Sequence, residues 1–176
     1  VAHKITINRA PVLALWATVV AERLGYEPGE ALTLGRAVTG LTAQSKGRHL
    51  GIYKPRAKEA AEKAAGRKLE AVELLGRFVP AVQTPDGLRA IEKGRPASPE
   101  SAERYLESKF GADLAAARSA MRKLAEHLAP EALATRAFVL YEKFRPAIPQ
   151  GVRGWGAKGE LDLGRIEALA AGQDDG

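Results

Sequence analysis

The chain has 176 residues, 45% of them apolar and 27% charged, with no cysteine and a formal net charge of +6. That balance suits one domain, or one core with a small appendage, and excludes wholesale disorder, disulfides and thiolate metal centres. Its three histidines, His3, His49 and His127, are too scattered for an imidazole cluster, so neither metal nor cofactor is expected. The lack of cysteine fits a reducing cytoplasm, the expected location.

Residues 1–8, VAHKITIN, alternate weakly and predict a short extended arm. Asn8 and Pro11 are start signals for a helix whose apolar positions include Val12, Leu13, Trp16, Val19, Val20 and Leu24, with Gly25 as its stop. Its apolar run, Ala10 to Ala21, is shorter than the ~20 residues a bilayer span requires. Lys4 and Arg9 ahead of it mimic a secretion signal, but the helical pattern runs on into Glu22 and Arg23, as in a core helix. No membrane association is expected.

YEPGE opens a second helix, with Leu34, Val38 and Leu41 on its buried stripe and Gly47 as its end. The cationic loop RHLGIYKP follows. From Pro55 a third helix is predicted with only Ala57, Ala60, Ala61 and Ala64 on its apolar face. Then the period changes. Turn signals at Gly76, TPDG and EKG separate short strands near 71–75, 77–83 and 88–92, and Pro80 places the middle strand at an edge or a bulge. Beyond Pro96 the helical period returns. Ser98–Pro99 starts one helix, Leu114 to Leu128 mark another, and a third runs from Pro130 towards Pro146. A short terminal helix is expected from Asp162. The expected fold is mainly α (α+β), close to all-α: a helical bundle-like core with a small β-hairpin or three-stranded element near 71–92. A joint at PASPE divides residues 1–96 from 97–176, or the two form one continuous domain.

The charge is concentrated. Lys46, Arg48, Lys54, Arg56, Lys58, Lys63, Arg67 and Lys68 face only Glu59 and Glu62, and this excess of +6 equals that of the whole chain. With Tyr53 and His49 interleaved, the stretch suits phosphates and a stacking base. The plain alternative is a solvated basic surface with Tyr53 and Ile52 packed inward.

Ala21 and Gly25, four residues apart in AERLG, with Ala31 and Leu34 beyond, resemble the corner of helix-turn-helix DNA-binding proteins. The order helix pair, third helix, hairpin also resembles a winged helix. That resemblance implies a reading role for residues 55–68 and places the hairpin cations Arg77 and Arg89 beside the duplex. Glu27 and Glu30 at the start of the second helix oppose its use as the reader. The loop GVRGWGAKGE offers Arg153, Trp155 and Lys158 as a contact to a base or a partner; alternatively Trp155 is a plug against Phe138 and Tyr141.

No catalytic constellation stands out, and an enzyme is the less favoured reading. Glu103 and Glu107 lie four apart beside Arg104 and Lys109 and read as surface charges. The expected function is nucleic-acid binding, duplex DNA before RNA, through residues 46–68. The alternatives are a protein-interaction or scaffold role, including a homodimer, and a small-molecule enzyme without a recognisable motif.

Overall fold

The computed structural model describes residues 4–45, 70–92, 95–146 and 158–172. Strand β1 (Lys4–Asn8) turns Ile5 and Ile7 inward and pairs antiparallel with β6 (Lys158–Asp162), Lys4 opposite Asp162 and Asn8 opposite Lys158. Helix α1 (Arg9–Arg23) follows without a loop. A one-sided apolar stripe does not describe it: every residue from Pro11 to Ala21 is buried, so α1 is the central rod of the core.

Helix α1 ends in a complete Schellman motif. Gly25 adopts φ +114°, its N–H donates to the Glu22 carbonyl (3.1 Å), and the Tyr26 N–H donates to the Ala21 carbonyl (3.1 Å). Helix α2 (Pro28–Ser45) then packs back along α1. Gly35 is the point of closest approach. A Cβ built there would lie 2.7 Å from the Thr18 amide nitrogen and 2.8 Å from the Ala14 carbonyl oxygen.

The second sheet has the order β2 (Glu70–Leu74), β3 (Arg77–Thr84), β4 (Gly87–Glu92), β5 (Arg95–Pro96), antiparallel throughout. Its three longer strands match the sequence expectation, and β5 is an addition. Strand β3 is interior, not an edge strand. Pro80 is tolerated there because the β4 ladder begins only at Ala81, opposite Ala90. The alternation of the ladder points the Pro80 nitrogen to the β4 side, where pairing has already ended. The β2–β3 turn has two residues with positive φ, Leu75 (+52°) and Gly76 (+76°), the geometry of a type I′ hairpin.

Helix α2 completes this sheet chemically. The N–H groups of Leu88 and Ala90 point away from β3, and β5 is too short to reach them. The Glu30 carboxylate accepts from Leu88 (2.9 Å) and the Thr33 hydroxyl accepts from Ala90 (3.1 Å). Thr33 is buried. Thr33→Val keeps the shape and strands the Ala90 N–H, so we expect a loss of about 1–3 kcal/mol. Urea unfolding checks this, with Thr33→Ser expected to recover most of the difference.

Helix α3 (Pro99–Phe110) starts as its sequence predicts, the Ser98 hydroxyl accepting from the Ser101 N–H at 3.2 Å. A single 3₁₀ turn (Gly111–Asp113) leads to α4 (Leu114–Glu126), then α5 (Pro130–Phe144). The final helix α6 (Leu163–Ala170) is capped by Asp162, which accepts from Gly164 at 2.9 Å. Arg23 donates to the carbonyls of Ala125 (3.4 Å) and Leu128 (3.0 Å), tying the end of α1 to the last turn of α4. One apolar cluster joins residues from both sides of the 96/97 joint, among them Trp16, Val79, Leu124, Leu133 and Ile166.

The architecture is therefore α+β, a helical core with a two-stranded and a four-stranded sheet. Those sheets correct the near all-α expectation.

Candidate nucleic-acid interface

Lys46, Arg48, Tyr53, Lys54, Arg56, Lys58, Lys63, Arg67 and Lys68 lie outside the described residues, as do Arg153 and Trp155. The third helix expected from Pro55 and the choice between contact and plug for Trp155 fall there too. Lys158 is the first residue of β6, opposite Asn8. What the structure supplies for residues 46–68 is their frame. The described residues on either side are Ser45, the last of α2, and Glu70, the first of β2, two elements built into the folded body.

The helix-turn-helix reading of α1 and α2 does not survive. The corner itself is as expected: Ala21, Ala31 and Leu34 are fully buried and Gly25 has a positive φ. But the first turn of α2, the end that a reading helix offers to a groove, is docked on β4. Both Glu30 carboxylate oxygens are occupied there, one by the Glu27 N–H (3.0 Å) and one by Leu88. Those two backbone N–H bonds hold the Glu30 carboxyl below the ordinary carboxylate range. A close helical corner needs the same small residues whether it faces DNA or a sheet, and the acidic start of the helix was the signal that told the two apart.

Arg77 and Arg89 do not converge on one surface. Arg77 shares the inward face with Val79 and Ala81, and its guanidinium lies 5.4 Å from the Phe138 ring centre. Its Nε is buried and has no hydrogen-bond partner. Arg89 is on the opposite face at the other end of the strands, paired with Val82. It donates to the carbonyls of Leu88 (2.9 Å) and Asp86 (3.1 Å) and rests against Gly29 and Gly87 beside Glu30. One arginine stacks on α5 and the other buttresses the start of α2.

Trp16 is packed within the chain. It is fully buried, its indole N–H donates to the Ala137 carbonyl at 2.9 Å, and its ring meets Phe144 edge-on at 5.3 Å. Glu103 is held by Arg118 at 2.9 Å, a partner from α4 that neighbouring sequence did not reveal. Two hollows mark the described surface. An open one of about 550 Å³ is lined by Thr84, Asp86, Arg89, Pro96, Pro99 and Glu100. A more apolar one of about 390 Å³ lies between the β2–β3 turn and Val20, Leu24 and Phe138. Among the described residues no three His, Asp or Glu side chains gather as metal ligands, and no helix is long and apolar enough to cross a membrane.

Comparison of the chain with protein-family models, curated proteins and solved structures found no match.

Proposed function

We propose that the protein binds nucleic acid, duplex DNA in preference to RNA, through residues 46–68. One observation supports the reading: these residues carry the whole net charge, while all other residues together sum to zero. Eight cations on 23 residues attract a polyanion, and phosphate neutralisation releases condensed counterions. Arg77 and Arg89 are left out of the proposal because they occupy opposite faces of the sheet. Tyr53, the aromatic residue of that stretch, is proposed to stack on a base.

A gel-shift titration at two salt concentrations tests it. Wild-type affinity should fall steeply with salt, with a log–log slope of about −0.9 per phosphate neutralised. Changing Lys54, Arg56 and Lys58 to Ala should weaken binding and flatten that slope by up to about 2.7. Absence of duplex retention at ordinary salt, with capture of an acidic protein instead, would replace this reading by the interaction role.

A further inference from the structure

The charge balance outside residues 46–68 is a sum, and the fold does not spread it evenly. Residues 1–21 contain Lys4 and Arg9 and no carboxylate; residues 143–159 contain Lys143, Arg145, Arg153 and Lys158 and no carboxylate. The structure brings described parts of these two segments together. Arg9, the first residue of α1, donates from Nε to the Pro146 carbonyl at 2.9 Å. Asn8 is paired with Lys158. Pro146 and Lys158, the described residues on either side of 147–157, both meet the β1–α1 junction. Arg145, which ends α5, stands beside Arg9.

From this geometry we infer that Arg9 and Arg145 form a binding site for a phosphate group. Arg9 is bonded to the carbonyl of the residue that follows Arg145, so two guanidinium-bearing residues meet at one junction, and like charges brought near each other favour an anion between them. Among the described residues neither forms an ion pair. The Arg9 Nε is committed to Pro146, which fixes the side chain and leaves its terminal nitrogens to donate. Arg145 has no side-chain hydrogen bond in the described structure, so its planar fork is available for two phosphate oxygens.

The surroundings agree. Asn8 makes no side-chain cap to α1, and the first turn of α1 holds no carboxylate, so the positive end of this helix is not neutralised there. Two of the last carbonyls of α5 are already occupied by arginine donors. The Tyr141 carbonyl accepts from the Arg145 N–H (2.7 Å), and the Lys143 carbonyl accepts from Arg165 (3.5 Å). The Tyr141 hydroxyl donates to the Arg9 carbonyl at 3.4 Å and stays protonated, its pKa pushed up to about 12, chiefly by burial. Burial and then Arg145 lower the Arg9 guanidinium, the direction that two unneutralised neighbours produce. The carboxylates nearest in sequence and register are Glu142, exposed on α5, and Glu160 and Asp162, further along β6.

Neither arginine belongs to residues 46–68, so the two proposals can be tested separately. The chemistry recognised is a phosphate group, borne either by a small molecule or by a nucleic-acid backbone. Thermal melts with inorganic phosphate and pyrophosphate, against sodium chloride at equal ionic strength, read it out in the full chain. Wild type should melt higher with pyrophosphate than with chloride. Arg145→Gln, which breaks no hydrogen bond of the described structure, should melt like wild type in chloride yet bind pyrophosphate about tenfold more weakly. The triple Ala variant at Lys54, Arg56 and Lys58 should keep the pyrophosphate response.

A duplex oligonucleotide arm separates the two sources. If the backbone is the ligand, Arg145→Gln lowers duplex affinity as well; if a small phosphate is, duplex affinity is unchanged. Three results overturn the site: no wild-type shift beyond the chloride control, an Arg145→Gln response equal to wild type, or a response abolished by the triple variant.

Discussion

Replacing Gly35 by alanine is expected to cost about 3 kcal/mol, and replacing it by valine to prevent folding. Two effects compete. Alanine favours a helix over glycine by about 1 kcal/mol. Against that, the new Cβ would sit 2.7 Å from the Thr18 nitrogen and 2.8 Å from the Ala14 oxygen, closer than van der Waals contact allows. Both are backbone atoms of the central helix, so no rotamer change relieves the clash. Separating α1 from α2 would also pull Glu30 and Thr33 off the β4 edge. The steric cost wins, and the midpoint of urea unfolding should fall with little change in slope. At Gly76, where nothing lies within 4 Å, the same substitution meets only the strain of φ +76° and should cost much less.

Trp16→Ala is expected to destabilise by about 3–5 kcal/mol. At about 2–4 °C per kcal/mol for a domain of this size, melting should fall by roughly 6–20 °C. The indole fills the space between α1 and α5, bonds the Ala137 carbonyl and meets Phe144 edge-on. Trp16→Phe keeps a ring at the site and loses the N–H bond and part of the volume, so it should lie between wild type and alanine. Calorimetry and denaturant titration measure both. A Trp16→Ala protein that melted like wild type would mean that α5 does not need this anchor.

Most helix and strand positions were legible locally. The Gly25 stop, Ser98–Pro99, Pro130 and Asp162 act within a few residues of themselves, so the structure reproduces them; α1 starts after Asn8 as expected, though without a side-chain cap. The type of helix was less legible. Residues Pro11 to Ala21 read as a one-sided helix, but every one of them is buried because α2, α3, α4 and α5 all pack against α1. Pro80 marked a real gap in hydrogen bonding, yet only the register shows that the gap lies past the end of the β4 ladder and not at the sheet edge. The two carboxylate-free stretches that hold Arg9 and Arg145 are visible in the sequence, but they are more than 120 residues apart. A search for dense charge runs does not join them.

Composition alone excluded cysteine chemistry and located the whole net charge in residues 46–68, because counting charges needs no coordinates. Local spacing determined where helices and strands begin, because caps and turns are satisfied by near neighbours. Tertiary structure decided the partners. It gave Glu30, in sequence only an objection to DNA reading, a place as the cap of a sheet edge, sent Arg77 and Arg89 to opposite faces, and bonded Arg9 to Pro146. Charges and hydrogen bonds act through space at a few ångströms, and only the folded chain sets those distances.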